Sequence, residues 1–144
     1  MAITQALPNS FKKQLLDGDQ DFSSAGGDKF KLALYVSTAT LGASTTSYTT
    51  SGEVSSSGTN YTTGGKALTN SGTSVVSTVA FTDFADLSFV NVTLTARGCL
   101  IYNTSFSNSA VAVLNFGADK TATAGTFTIQ FPAFTSSAAI IRIS

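Results

Sequence analysis

Four aspartates between residues 17 and 28 have the spacing of a calcium-binding loop. Asp17, Asp19 and Asp21 fall where the first three ligands of an EF-hand lie, and Asp28 falls where the twelfth ligand lies. Clustered oxygen atoms are what calcium requires. However, the sixth position is Phe22, where the turn needs glycine, and a strand is predicted where the motif has its second helix. We therefore expect a solvated acidic turn and no metal.

Asp83 and Asp86 form a second pair with possible chemistry. Two carboxyl groups held across a cleft, one of them with a raised pKa, are the machinery of glycoside hydrolysis. Two aspartates three residues apart in a short connector more often form Asx turns or cap a helical turn. Acidic residues are also scarce, since the 144 residues contain only eight. We expect this pair to be structural and not catalytic.

The sequence lacks the residues on which most enzymes rely. It contains no histidine, the usual general base and metal ligand near neutral pH, and a single cysteine, Cys99. Cys99 lies in the apolar run 99–102, which indicates a small buried side chain and not a nucleophile. The sequence contains no phosphate-binding glycine-rich loop, zinc-ligand spacing or nucleophile elbow. It therefore predicts a protein that is not an enzyme and that binds no cofactor.

Charge is sparse and balanced along the sequence. Eight basic and eight acidic residues give a formal net charge of zero, and charged residues make up 11% of the chain, less than half the usual share. A nucleic-acid partner normally requires a basic patch, which this balance does not predict. A net charge near zero also favours self-association. The composition therefore suits a protein that is packed in an assembly with other protein surfaces.

No stretch of the sequence has the continuous apolar length that spans a bilayer. Residues 1–5 also lack the basic start and the apolar core of a secretory signal. We therefore expect no membrane partner, and synthesis in a reducing cytoplasm.

One helix is predicted before the first strand. Residues 9–16 place Phe11, Leu15 and Leu16 at helical spacing, which indicates a short helix with one apolar face. Either of its first two residues is expected to be the N-cap, and the Asp-Gly pair that follows is expected to end it. From residue 30 the apolar period changes to two, which predicts a half-buried strand over 30–36.

Strand signals recur through the rest of the sequence. Short candidates and then stronger ones lie at 48–50, 53–55, 66–69, 75–81, 87–96, 99–103, 111–116, 126–131 and 140–143. The apolar phase shifts between Phe89 and Val90, which predicts a β-bulge there. About eight strands, with no helix between them, predict an all-β fold, an antiparallel β-sandwich or jelly roll. We expect a single domain, with the helix and a loop in 1–28 and the sandwich in 29–144.

Two polar segments separate strong strand candidates and allow two interpretations. They are 97–98 and 117–120. Arg97 could anchor an ion pair at an interface, because arginine is the common partner of half-buried carboxylates. Equally, both segments could be plain hairpin loops.

Several runs of the sequence also carry a resemblance to known proteins. They are SFK (10–12), LL (15–16), FKLALY (30–35), ATLGA (39–43), AFTDFAD (80–86), TARG (95–98), LIYN (100–103), AVLNFGADK (112–120), FTIQFP (127–132) and AIIRI (139–143). Nearly end to end, the chain resembles a group of small virion proteins of tailed bacteriophages, especially marine phages and cyanophages. The resemblance brings no catalytic residues with it.

The resemblance implies an accessory capsid component of the cement or decoration type, or else a tail or neck component. Jelly-roll cement proteins occur on phage heads. We therefore expect a dimer or trimer on the capsid surface that bridges and stabilises subunits of the major capsid protein. The expected contact residues are Phe11, Leu15, Leu16, Tyr48, Tyr61 and Arg97, with the loops 38–63. For the helix, the alternative that it merely closes one end of the sandwich stays open.

A second hypothesis is a carbohydrate-binding module that attaches the virion to a host surface. Such modules stack sugar rings on exposed aromatic side chains and add polar contacts. The sequence has no tryptophan, and its best candidates for an exposed coplanar pair are Tyr48 and Tyr61. The position of these two rings therefore distinguishes this hypothesis from a purely structural role.

Overall fold

The computed structural model describes residues 2–144, which fold mostly into antiparallel β-sheet. The described residues contain one helix and seven strands. In chain order these are α1 (Asn9–Asp17), β1 (Phe30–Tyr35), β2 (Lys66–Ala67), β3 (Asn70–Val76), β4 (Val79–Phe84), β5 (Leu87–Asn103), β6 (Ser109–Ile129) and β7 (Ile141–Ile143). The predicted all-β class with one short N-terminal helix is confirmed, with seven strands where about eight were expected.

The seven strands form two antiparallel sheets. The larger sheet has the order β2-β1-β5-β6, and the smaller sheet has the order β3-β4-β7. β5 and β6 form a long hairpin, and β1 pairs only with residues 98–103 of it. Side chains of both sheets share one hydrophobic cluster, in which the rings of Phe30 and Phe84 lie 5.5 Å apart between centroids.

A second, smaller hydrophobic cluster lies on the other face of the larger sheet. Leu34 belongs to the first cluster, whereas its neighbours Ala33 and Tyr35 belong to the second. Successive side chains of a strand point to opposite faces, so the two clusters cover the two faces of β1. Ile3 and Leu41 close the second cluster from outside the sheet. This part of the sheet is therefore covered on both sides, which explains its nearly continuous apolar sequence.

The helix is confirmed where the sequence predicted it, but its N-terminal cap is not. α1 ends at Gly18, whose φ of 78° gives the left-handed conformation in which glycine is favoured. The N-cap position is Pro8, and no side chain caps the helix. The cap prediction was wrong because the residue before the helix supplies that position. The helix is held by tertiary contact instead, since Phe11 packs edge-on against Phe22 at 6.0 Å.

The predicted β-bulge in the first half of β5 is confirmed. Phe89 pairs with Phe127 and Val92 pairs with Gly125, with a register shift between the two pairs. Asn91 has a φ of 54° within this shift. The side-chain amide of Asn60 donates to the carbonyl oxygens of residues 90 and 91 at 3.3 and 3.2 Å. The bulge therefore returns the later apolar residues of β5 to the buried face.

The interpretation of 97–98 and 117–120 as hairpin loops was wrong. Both segments lie inside strands, so the predicted strands 87–96 and 99–103 are one strand, β5, and 111–116 and 126–131 belong to β6. Ala96 pairs with Lys120 and Gly98 pairs with Asn115, so residues 116–119 lie opposite Arg97 alone. This wide bulge takes up the polar residues without ending either strand. The hairpin turns instead at residues 104–108.

One further strand prediction was only partly right, and two were wrong. The predicted strand 75–81 contains a turn at 77–78, which separates β3 from β4. Ser77 has a φ of 55°, which suits a tight turn. The candidates at 48–50 and 53–55 form no strand, although an isolated bridge joins Glu53 to Tyr35. Short Ser- and Thr-rich runs carry a strand composition without a partner strand to pair with.

Candidate functional site

The helix offers one of its three predicted contact residues to solvent. Phe11 is fully buried in the larger cluster, and Leu15 is half-buried against it. Leu16, in contrast, is 91% exposed. Docking of α1 on the core thus uses two of the three residues that the sequence offered for a partner. Of the three, Leu16 is the one that remains available for a contact.

Tyr48 and Tyr61 belong to a polar cluster built around Glu53, the only glutamate in the chain. The hydroxyl of Tyr48 donates to Glu53 Oε1 at 2.6 Å, and that of Tyr61 donates to Oε2 at 2.7 Å. The backbone N–H of Gly64 also donates to Oε2 at 2.7 Å. The backbone N–H of Leu34 donates to the Tyr61 hydroxyl at 2.9 Å. This cluster, centred on Glu53, fastens the long loop between β1 and β2 to the sheet.

The remaining two tyrosines complete this fastening. Tyr35 donates to the carbonyl oxygen of Thr49, and Tyr102 donates to that of Gly64, each at 2.6 Å. Burial, with a smaller contribution from the Glu53 carboxylate, raises the pKa of Tyr102 to about 12. All four tyrosines of the chain are therefore neutral hydrogen-bond donors at ordinary pH. Sequence reasoning missed this cluster because Tyr48, Glu53 and Tyr61 lie in an irregular loop, where no periodic spacing predicts which side chains meet.

The tyrosine rings do not form the exposed pair that a sugar-binding platform needs. Tyr61 is only 2% exposed, and Tyr48 stacks on Tyr102 with 4.6 Å between ring centroids. Tyr61 therefore cannot contact a partner in this conformation, and the ring of Tyr48 already lies against another ring. The geometry removes the best sequence-based candidates for a carbohydrate platform.

Three of the acidic residues between 17 and 28 bind nearby groups of the same segment, through one ion pair and several hydrogen bonds. Asp17 forms an exposed ion pair with Lys13 at 2.6 Å. Asp21 accepts from the backbone N–H and the hydroxyl of Ser23, and these hydrogen bonds lower the pKa of Asp21. Asp28 accepts from the backbone N–H of Asp21 at 3.0 Å. Within residues 2–144, no group of three or more His, Cys, Asp or Glu side chains could hold a metal ion.

Asp83 and Asp86 do not face each other across a cleft. Asp83 is 1% exposed, and its Oδ1 accepts from the backbone N–H of Phe84 at 2.9 Å. Its Oδ2 has no hydrogen-bond partner among the described residues, and burial raises the pKa of Asp83. Asp86 is exposed, and its Oδ1 accepts from the backbone N–H of Phe131 at 2.8 Å. Neither carboxyl group forms the predicted Asx turn or helix cap, because Asp83 accepts from the next residue within β4 and Asp86 accepts from a residue 45 positions further along the chain.

Arg97 makes its ion pair within the chain. Its Nε donates to Asp119 Oδ1 at 2.8 Å, with both side chains partly exposed. The pair bridges the two sides of the wide bulge in the β5–β6 hairpin. Arg97, which was predicted to anchor an ion pair at an interface, instead links β5 to β6 within the chain.

The outer side of β6 offers the longest unpaired strand edge of the described chain. β6 is the last strand of the larger sheet. Its first residues are covered, because Ala6 bridges to Val113 and Ser47 bridges to Ser109. Within the described residues, the backbone of 116–129 pairs only with β5. We call the outer side of residues 116–129 the open edge.

The open edge lacks the usual protection over its last part. Edge strands normally carry charges, prolines or bulges that prevent pairing with another chain. Residues 126–129 read Thr-Phe-Thr-Ile, an alternating run with no charge and no proline, and Pro132 follows only after the strand has ended. The sequence predicted a strand here, but it contained no sign that one side of that strand would lack a partner.

A groove of about 730 Å³ runs beside the open edge. The middle and the C-terminal end of β6 line it, and the rings of Phe116 and Phe127 lie 6.1 Å apart between centroids within that lining. The chain from 130 to 142 forms the opposite wall, with Phe131 and Ile140 among its apolar residues. We call this the edge groove. It combines apolar side chains with the backbone of an unpaired strand.

The comparisons with known proteins add no relative to this picture. No family model matches the chain, no curated protein matches it, and no solved structure matches it. Among residues 2–144, no helix has both the length and the apolar character needed to cross a membrane.

Proposed function

We propose that this chain is a non-enzymatic structural protein of a tailed-phage virion. In this proposal it is a cement or decoration protein that binds the capsid surface and bridges neighbouring subunits of the major capsid protein. The resemblance of the sequence to small phage virion proteins supports the virion as the place where the protein acts. The open edge of β6 is the observation that carries the mechanism, because an unpaired strand edge can add a strand from a neighbouring protein.

The architecture in the proposal is a β-sandwich. Phe84 of the smaller sheet and Phe30 of the larger one belong to the same buried cluster, which supports face-to-face packing of the sheets. The sheets have four and three strands, so an eight-stranded jelly roll stays a prediction. A small rigid sandwich with few charges suits a role that depends on surface contact and backbone hydrogen bonds.

The sparse charge supports binding within an assembly. A neutral chain has few charged groups to desolvate when two surfaces meet. Many identical copies on one shell also convert modest affinity at each site into durable attachment. We therefore include self-association as a dimer or trimer in the proposal, with the open edge and Leu16 as accessible contact elements.

The decisive experiment locates the protein on particles of the phage that encodes it. We expect cryo-electron microscopy to show its density over capsid subunits at two-fold or three-fold positions. Density only at the tail vertex would replace the cement role with a tail or neck role. Particles that lack the protein altogether would contradict the whole proposal.

A second experiment tests the open edge as the attachment element. Recombinant protein is added to heads from which the native protein has been stripped, and the rupture temperature of the heads is measured. Thr126→Lys with Thr128→Lys places two charges on the open edge, and we expect this variant to bind poorly and to leave the rupture temperature low. Ser56→Lys with Ser57→Lys adds the same charge to an exposed loop and should bind like the unmodified protein. Equal binding by both variants would remove the open edge from the mechanism.

A further inference from the structure

Two basic side chains line the edge groove, and the acidic group placed next to that lining is Asp86, whose Oδ1 already accepts from the backbone N–H of Phe131. The two basic residues are Lys120 and Arg142, and the described lining residues include no aspartate or glutamate. The ion pairs among the described residues are Lys13 with Asp17 and Arg97 with Asp119. Neither Lys120 nor Arg142 is therefore neutralised by an acidic partner within the described chain. The groove carries two unpaired positive charges beside an apolar floor.

The apolar residues of the edge groove restrict what those charges can bind. Phe116, Phe127, Phe131 and Ile140 line the same space as the two basic side chains. A free phosphate or a nucleic-acid backbone would satisfy the charges and leave this apolar lining without a partner. An extended peptide suits the open edge, the apolar lining and the two basic side chains together. It supplies backbone hydrogen bonds to the first, apolar side chains to the second and carboxylates to the third.

We propose that the edge groove binds an extended, carboxylate-bearing segment of a partner protein, which adds to the open edge as a further strand of the larger sheet. Apolar side chains of the segment pack against the groove, and its Asp or Glu side chains pair with Lys120 and Arg142. The positions of the two charges fix the register of the added strand, which the uniform Thr-Phe-Thr-Ile run by itself would leave free to slip. The identification of the partner as a capsid subunit rests on the proposed function, whereas the chemistry of the segment does not.

The direct test uses a peptide of defined composition and nitrogen-15-labelled full-length protein. The probe is the capped heptapeptide Glu-Thr-Val-Thr-Val-Thr-Glu, whose glutamates and valines lie on one face of an extended strand, with counterparts in which both glutamates are replaced by glutamine or by lysine. We expect saturable amide shift changes at residues 126–131 and near Lys120 and Arg142. We expect the glutamate peptide to bind about tenfold more tightly than the lysine peptide, with the glutamine peptide between them.

Charge reversal provides the matched control. In Lys120→Glu with Arg142→Glu, we expect affinity for the glutamate peptide to fall by about tenfold and the preference to turn toward the lysine peptide. Lys12→Glu with Lys29→Glu makes the same change in net charge at exposed positions outside the groove, and its peptide binding should be unchanged. Both variants should give the thermal unfolding curve of a folded protein, since all four side chains lie at the surface or in an open groove.

Four results would overturn this inference. They are no binding of any of the three peptides, equal affinity for all three, shift changes confined to surfaces away from the edge groove, and displacement of the peptide by inorganic phosphate or a thymidine oligonucleotide. Failure of the virion proposal gives a different result, in which the groove binds the acidic peptide but the protein is absent from particles. Conversely, protein that decorates heads normally after charge reversal would contradict a capsid subunit as the partner of the groove, and the peptide measurements would still decide the chemistry of the segment.

Discussion

The β5–β6 hairpin is covered on both faces at its turn and on one face along the rest of its length. The turn half, residues 98–103 with 109–113, is buried throughout. The open half, 87–96 with 120–129, alternates buried and exposed residues. Both halves are paired strands of one sheet, but only the turn half also pairs with β1 and with the bridges at Ala6 and Ser47.

The covering segments explain the difference between the two halves. Over the turn half, Ile3 and the loop fastened by the Glu53 cluster pack on the outer face, where Leu100 and Val113 lie. The outer face of the open half instead presents cross-strand hydroxyl pairs, such as Thr95 with Thr121 at 2.8 Å. Each half is thus apolar on a face where other segments cover it and polar on a face that solvent reaches. The open half has one solvent-exposed face and one unpaired edge.

The largest expected effect is loss of a side chain from the outer face of the turn half. Leu100→Ala removes a side chain with no exposed surface, and we expect it to lower the free energy of unfolding by about 4 kcal/mol. Thr95→Ala on the exposed outer face of the open half should change it by no more than about 0.5 kcal/mol. Urea denaturation of both variants measures the contrast. Similar losses would show that the two halves do not differ in energy as they do in burial.

A pair of glycine substitutions tests how closely β6 and the N-terminal segment approach Gly98. A Cβ on Gly98 would meet the carbonyl oxygen of Leu114 and two methyl carbons of Ile3, the latter at 3.0 Å. We expect Gly98→Ala to cost about 2.5 kcal/mol in the free energy of unfolding, because the backbone must shift. A Cβ on Gly125 in the open half meets only Thr123 O at 3.4 Å, so Gly125→Ala should fold almost normally. A well-tolerated Gly98→Ala would mean that neither β6, at the carbonyl oxygen of Leu114, nor the N-terminal segment, at Ile3, is packed tightly there.

Weakening the Glu53 cluster should loosen the cover of the turn half. In Glu53→Gln, an amide NH₂ group replaces one carboxylate oxygen, and it cannot accept a hydrogen bond from a tyrosine hydroxyl. We therefore expect the free energy of unfolding to fall by about 1.5 kcal/mol. Hydrogen exchange should rise in the loop between β1 and β2 and not in the open half. Asp17→Asn makes the same chemical change at an exposed ion pair and should cost no more than about 0.5 kcal/mol. Equal losses in the free energy of unfolding for Glu53→Gln and Asp17→Asn would contradict the role of Glu53 in fastening the loop.

The smallest effect, which depends on pH, concerns Asp83 near the start of the open half. Because burial raises the pKa of Asp83 above its ordinary 3.8, the folded protein keeps this proton to higher pH than the unfolded chain. The free energy of unfolding should therefore fall as pH rises from 3.8 through the folded pKa. Asp83→Asn should remove this fall and raise the melting temperature at pH 7. Below pH 3.8 the difference from the unmodified protein should shrink, and a difference that does not depend on pH would contradict this account.

The sequence predicted those elements whose signal is local. Helix α1, strand β1 and the bulge after Phe89 all follow from the spacing of apolar residues within a few positions. The continuity of β5 through Arg97 could not be read in this way, because it depends on four residues of β6 that bulge opposite it. A polar Arg-Gly pair looks like a turn until the partner strand is known.

The candidate site was less predictable for the same reason. Phe11 and Tyr61 looked suitable for a partner, but the fold itself uses them, one beneath the helix and one at Glu53. The edge groove was missed because it exists only after residues 130–142 fold back along β6. Periodicity shows that a residue belongs to a strand, but it does not show whether that strand lies at the edge of its sheet.

The buried Cys99 is a built-in chemical probe for opening of the β5–β6 hairpin. It is the only thiol in the chain, it has no exposed surface, and it lies between Leu34 of β1 and Leu114 of β6. An alkylating reagent can reach it only when β5 separates from its neighbours, and burial raises the pKa of the thiol so that little thiolate forms before then. The rate of its modification therefore reports how often the centre of the larger sheet opens. A single mass measurement over time would follow that opening in the free protein and in any assembly it joins.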